Sequence, residues 1–187
     1  MVSVGGPGVM LLGVLVAGAL CVLLALAAQR STSRLTAWSS AALVWSLVVI
    51  GLVTLVPAVG PTGLVPADEA QTTCSWDFGG PAPDGFWVFG GGQRLLNTAL
   101  FAPAGFLLAL TVGRGGRWWL ALPGLGLLAA YSVGIERTQL GLARLDRACD
   151  VTDVFDNTLG AVVGCLVGLT VAVLVGLSHH HRDRRVT

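Results

Sequence analysis

The stretch RACDVTDVFDNTLGAVVG, Arg147 to Gly164, puts three aspartates and an asparagine in front of, or inside, an apolar run that continues to Leu177. Carboxylates at such spacing can meet a cationic group, perform general acid–base chemistry, or hold a hard cation such as magnesium through oxygen ligands. On a helix turning 100° per residue, Arg147, Asp150, Asp153 and Asn157 share one face, which continues through Gly160, Gly164 and Gly168. Asp156 points away from that face by a quarter turn or more. The glycines follow a small-xxx-small rule that lets membrane helices approach closely. The acids need another explanation, because an ionised side chain within a span costs about 2.5–3.5 kcal/mol on insertion scales.

Partners for them occur elsewhere in the chain. Glu136 and Gln139 lie three apart, on one face at the end of an apolar run, and Arg137, Arg144 and Arg147 follow in the next loop. Arg94 and Asn97 open another run; Phe101 and Gly105 continue the Asn97 face, and Pro103 is expected to kink that helix or thin its hydrogen bonding. Two accounts compete. Acids at a helix N-terminus meet its dipole, and Arg–Asp pairs can pin a loop; alternatively, Asn97, Glu136, Gln139, Arg147, Asp150, Asp153 and Asn157 converge on one level of a membrane and line a polar ligand pocket. Polar groups from three separate segments favour the pocket.

The elements that must position these residues follow from composition. Of 187 residues, 54% are hydrophobic and only 11% charged, where a soluble domain would carry about a quarter charged. No ionisable acid or base precedes Arg30, and none falls in 35–67, 95–113, 118–135 or 157–178. Each gap accommodates the roughly 20 residues needed to cross a bilayer. An all-α, polytopic transmembrane helical bundle is therefore expected, with spans near 9–28, 38–56, 95–112, 118–135 and 158–177. Continuous rather than alternating apolar runs argue against a β-barrel. The first run is read as a retained helix rather than a cleaved signal, since no basic residue precedes it.

Charge sets the expected orientation. All eleven basic residues are arginine. Arg30 and Arg34, then Arg114 and Arg117, then Arg182, Arg184 and Arg185 mark three cytoplasmic segments by the positive-inside rule. Asp68, Glu69, Asp77 and Asp84 mark an outer loop. The N-terminus is then outside and the C-terminus cytoplasmic, with the acidic cluster at the outer face. One membrane domain, 1–187, accounts for the chain. Its longest extramembrane piece, 57–92, is rich in Pro and Gly and reads as an irregular loop. Phe86, Trp87 and Phe89 are candidates for the membrane interface. Cys21 and Cys165 read as small packing residues. Cys74 and Cys149 both fall in expected outer loops, where thiols persist as disulfides, and a Cys74–Cys149 bridge is expected.

Taken together, NTALFAPAGFLL (Asn97, Phe101, Pro103, Gly105), ERTQL (Glu136, Gln139) and RACDVTDVFDNTLGAVVG (Arg147, Asp150, Asp153, Asn157, Gly160, Gly164) resemble the VanZ-like membrane proteins over about 97–168. The resemblance implies a bacterial plasma-membrane protein of the cell envelope. It also implies a link to resistance against teicoplanin, a glycopeptide antibiotic with a lipid tail.

The reading that results is a binding protein whose outward polar pocket engages an amphiphile: a lipid headgroup, a lipid-linked wall precursor or a lipoglycopeptide. Arg147 or Arg144 would pair with an anionic group. Glu136, Asp150 and Asp153 would orient the arginine or meet a cation. Asn97, Gln139 and Asn157 would supply neutral hydrogen bonds, and the glycine face would pack on span three or four or accept an acyl chain. The alternative is an enzyme acting on such a lipid through Glu136, Asp150 and Asp153, although no nucleophile has an adjacent base. A small transporter and a purely structural subunit complete the alternatives. Membrane lipids are expected partners; no cofactor and no nucleic-acid partner is expected.

Overall fold

The computed structural model describes residues 6–56, 69–76, 92–113, 117–142 and 148–183, with side chains as far as 174. Five long helices carry the chain: α1 (Pro7–Ala28), α2 (Arg34–Leu55), α3 (Gln93–Val112), α4 (Ala121–Gly141) and α5 (Val151–Asp183). A single 3-10 turn, Trp118–Leu120, leads into α4. All five helices are long and apolar enough to cross a membrane, which fits the all-α bundle expected from the charge gaps.

The ends of these helices follow local chemistry. Pro7 opens α1, where its missing N–H costs nothing. Ser33 caps α2, its Oγ accepting from Thr36 N at 3.2 Å. Gly92 precedes α3 at φ +82°, a conformation that suits glycine. Helix α3 runs unbroken through Pro103, so this proline thins the hydrogen bonding without ending the helix. Two helices reach further than the charge gaps suggest: α4 continues past Ile135 to Gly141, and α5 begins at Val151 rather than near Thr158. Glu136, Gln139, Asp156 and Asn157 did not end these helices because they find partners inside the bundle.

Helices α3 and α5 form the most extensive contact. A Cβ on Gly160, Gly164 or Gly168 would run into the backbone of Thr98, Ala102 or Phe106 respectively, and one on Gly105 into that of Ala161. The two backbones therefore touch along more than two turns, from Gly160 to Gly168 and from Thr98 to Phe106, stabilised by dispersion and Cα–H···O contacts rather than by large side chains. This settles the use of the glycine face: it packs on α3. An acyl chain has no room there, so that expectation is corrected.

Around this pair, α2 packs on α3 and α4 packs on α5. Ile50, Phe101, Leu108, Leu128, Ile135 and Ala161 form the principal core cluster. Tyr131 fixes α4 to α2 by donating to the Leu47 carbonyl at 2.8 Å. Helix α1 leans chiefly on α2, burying Cys21 and Ala25 against Ala41. Its Leu11, Leu12, Leu15 and Leu23 are each about 60% exposed or more, as befits a lipid-facing helix. Cys165 is buried in a second cluster with Ala109 and Ala121.

Candidate functional site

Polar residues gather where the C-terminal ends of α2 and α4 meet the N-terminal ends of α3 and α5. Each arrives for a local reason. Helix α4 carries Ser132, Glu136 and Gln139 at steps of four and three, so all three face inward, and all are buried. Helix α5 carries Asp153, Asp156 and Asn157 within its first two turns, as α3 carries Arg94 and Asn97 within its own.

The strongest interaction joins α3 to α5. Arg94 Nε donates to Asp156 Oδ2 and Nη2 to Oδ1, both at 2.8 Å. The Asp156 side chain is wholly buried and that of Arg94 is 15% exposed. This is a bidentate, charge-assisted pair in which the planar fork of the guanidinium matches the carboxylate. Sequence reasoning left Asp156 out of the candidate set because it points away from the Asp153–Asn157 face. It does point elsewhere, but toward α3 rather than toward lipid or solvent. The signal was available: an acid in the second turn of an otherwise apolar span demands a counter-charge, and Arg94 opens a neighbouring span.

Asp150 corrects a second expectation. It does not continue the helical face of Asp153 but immediately precedes α5, forming an isolated parallel bridge with Ser75. Its Oδ1 accepts from Thr152 N at 2.8 Å, capping the helix, and its own N–H donates to Glu136 Oε2 at 2.9 Å. The buried Glu136 thereby ties α4 to the start of α5. Asp153 is half-buried and accepts a long 3.4 Å hydrogen bond from Gln93 Nε2. Arg137 belongs to α4 rather than to a loop, and its side chain is exposed. Arg144 and Arg147 lie outside the described residues.

The amides are only partly used. Gln139 Nε2 donates to the Thr54 carbonyl at 3.1 Å, and Asn157 Nδ2 to Ser132 Oγ at 2.9 Å. Gln139 Oε1 and Asn157 Oδ1 are buried with no hydrogen-bond partner among the described residues. Asn97 Nδ2 faces Asp153 without reaching hydrogen-bonding geometry.

Over this cluster lies a covalent and hydrogen-bonded staple. Cys74 and Cys149 form a disulfide, with Cα atoms 4.7 Å apart and a separation of 75 positions in sequence. Gln71 reads both sides of the Cys149 backbone, Nε2 donating to its carbonyl at 2.9 Å and Oε1 accepting from its N–H at 2.7 Å. Ser75 N donates to Cys149 O at 3.0 Å, and Val151 N donates to Ser75 O at 3.1 Å. Residues 71–75 are thus fastened to the entry of α5 directly beside Asp150.

Chemically the cluster is rich in acceptors. Its described guanidinium, Arg94, is matched by Asp156, and among the described residues no cation is bound as closely to Glu136, Asp150 or Asp153. Among the described residues no three His, Cys, Asp or Glu side chains are grouped so as to hold a metal ion, so the hard-cation alternative finds no donor set there.

Membrane-length helices gathered around a buried polar end define a multi-pass membrane protein. The profile of the VanZ/LLP1 family matches residues 14–172, and the chain belongs to that family. The match extends well before Asn97, taking in most of α1 and all of α2. Searches of curated proteins and of solved structures found no match.

Proposed function

We propose that this VanZ/LLP1 protein is a binding protein of the bacterial plasma membrane. Its polar cluster faces outward and engages an amphiphilic envelope ligand, a lipid, a lipid-linked wall precursor or a lipoglycopeptide, and so contributes to teicoplanin-type resistance. The observation that carries this reading is the pair of unpartnered acceptors, Gln139 Oε1 and Asn157 Oδ1, on side chains 8% and 3% exposed. An unsatisfied buried polar atom costs about 1–3 kcal/mol, and a ligand donor would remove that cost. A cluster serving only to pin helices gains nothing from leaving such atoms open.

The outward orientation rests on the arginines of the α1–α2 turn and of the α3–α4 connection, which mark the opposite end as cytoplasmic. Because Arg94 is engaged by Asp156, an anionic group on the ligand would be met by Arg144 or Arg147. Glu136, Asp150 and Asp153 would meet its amine or hydroxyl groups, and Asn97 would add a donor. Catalysis through Glu136 and Asp150 has less support, since one carboxylate holds the Asp150 N–H and the other caps α5.

The test is teicoplanin and vancomycin susceptibility in a deletion strain complemented with wild type, Gln139→Leu, Asn157→Leu or Asp153→Asn, with membrane abundance measured for each. Selective protection against the lipidated drug by wild type, lost in normally abundant variants, is the expected result. Equal potency of both drugs with and without the gene ends the resistance reading. Variants that vanish from the membrane show that the cluster holds the bundle together instead.

A further inference from the structure

At the end of the bundle away from the polar cluster, α1 and α2 enclose an apolar cleft of about 270 Å³, lined by Gly18, Cys21, Trp38, Ala42 and Trp45 among others. Trp45 forms a fixed wall, its Nε1 donating to the Val14 carbonyl at 3.0 Å. Gly18 makes room for that indole: a Cβ there would sit 3.2 Å from Trp45 Nε1. The floor is a stripe on one face of α2, since Trp38, Ala42 and Trp45 follow one another at steps of four and three.

Continued toward the N-terminus, the same stripe reaches Arg34, one turn before Trp38. Arg30 sits in the turn that joins the two helices. Both arginines are exposed, and among the described residues no carboxylate pairs with either. The first acid in the whole chain is Asp68. Helix α2 also begins here and adds the positive end of its dipole. Apolar cleft, aromatic walls and unopposed positive charge thus lie in line along one face.

We propose that this hairpin binds one anionic phospholipid, with an acyl chain in the cleft and its phosphate between Arg30, Arg34 and the start of α2. The occupant is a lipid rather than a peptide helix, because the cleft opens within the apolar length of two spans and the charge lies at their common end. This site is separate from the polar cluster and independent of the function proposed for it.

The full-length protein, delipidated in a neutral detergent, is titrated with phosphatidylglycerol and with phosphatidylcholine of the same acyl chains, and bound lipid is counted by native mass spectrometry. One phosphatidylglycerol is expected to bind in preference. Arg30→Gln and Arg34→Gln should each weaken it about fivefold, the worth of one arginine near an anionic lipid surface. Arg117→Gln, an exposed arginine on the α3–α4 connection, should leave it unchanged. Ala42→Leu, which fills the cleft, should abolish the preference without lowering the unfolding temperature. Equal retention of both lipids overturns the proposal. So does a preference indifferent to Arg30 and Arg34, or one that survives Ala42→Leu; the arginine variants, being exposed, keep the test decisive if the leucine perturbs packing.

Discussion

Asp156→Asn removes one charge from the Arg94–Asp156 pair while keeping the side chain's shape. In the native protein both carboxylate oxygens are engaged at 2.8 Å and the carboxylate is wholly buried. Removing one member of a buried pair typically costs about 3–5 kcal/mol, most of it from the charge left behind. Here the guanidinium is 15% exposed and stands in the first turn of α3, from which it can extend toward the interface. The lower end, about 3 kcal/mol, is therefore expected. The double variant Arg94→Met/Asp156→Leu replaces the pair with apolar groups and should recover most of that loss, because both desolvation costs disappear together. Equilibrium unfolding in mixed detergent–lipid micelles, followed by circular dichroism, of Arg94→Met, Asp156→Leu and the double variant gives their coupling, with Asp156→Asn measured beside them. If Asp156→Asn stays within about 0.5 kcal/mol of wild type, the pair does not support the fold and the reasoning from burial fails. If the double variant is as unstable as the sum of the singles, the two residues are not coupled at all.

Gly164→Leu should separate α3 from α5, since any side chain there meets the backbone of Ala102; overpacking of this kind costs about 1–3 kcal/mol, readable in the same micelle assay, whereas Gly126→Leu, which has open space, should not. Cys74→Ser should lower stability by about 2–4 kcal/mol, the usual worth of a disulfide closing a long loop. Non-reducing mass spectrometry of a digest should find Cys74 joined to Cys149 and leave Cys21 and Cys165 as free thiols. Gln139→Leu sacrifices a hydrogen bond worth about 1 kcal/mol but removes an unpaired buried acceptor of similar cost, so its unfolding midpoint should stay near that of wild type. A large loss would mean that a bound water or a neighbouring group already satisfies Gln139 Oε1.

The sequence made the helices visible because the membrane enforces their composition: a gap of some twenty uncharged residues admits few other readings. It also made visible that Gly160, Gly164 and Gly168 share a face, since helical periodicity alone decides that. Which helix fills that face depends on how α3, α4 and α5 are arranged, and periodicity is silent on arrangement. The same limit explains Asp156. Its angular distance from Asp153 and Asn157 was read correctly, but a bundle helix is approached from several sides, and α3 lies on the side that Asp156 faces. Asp150 escaped for a different reason. Pure periodicity extended the helix back to Arg147, whereas pairing of Ser75 with the strand-like Cys149–Val151 segment stops it. That pairing spans 75 residues, beyond any local pattern. The facing cysteines gave the single clue to it.

The Arg94–Asp156 pair also bears on how the protein is made. Helices emerge from the ribosome in order, and α3 enters the membrane well before α5 has been synthesised. Until then Arg94 has no Asp156, Gly105 faces no Ala161 backbone, and Glu136 has no Asp150 N–H to accept from. Asp156, Ala161 and Asp150 all reside in, or immediately before, the final helix. Insertion of α5 is thus the event that completes the α3–α5 seam, bringing Asp156 to Arg94 and the glycine face to the α3 backbone in one step. A nascent chain halted before Val151 lacks the carboxylate of Asp156 for Arg94 and leaves the α3 backbone from Thr98 to Phe106 without the glycine face that packs on it.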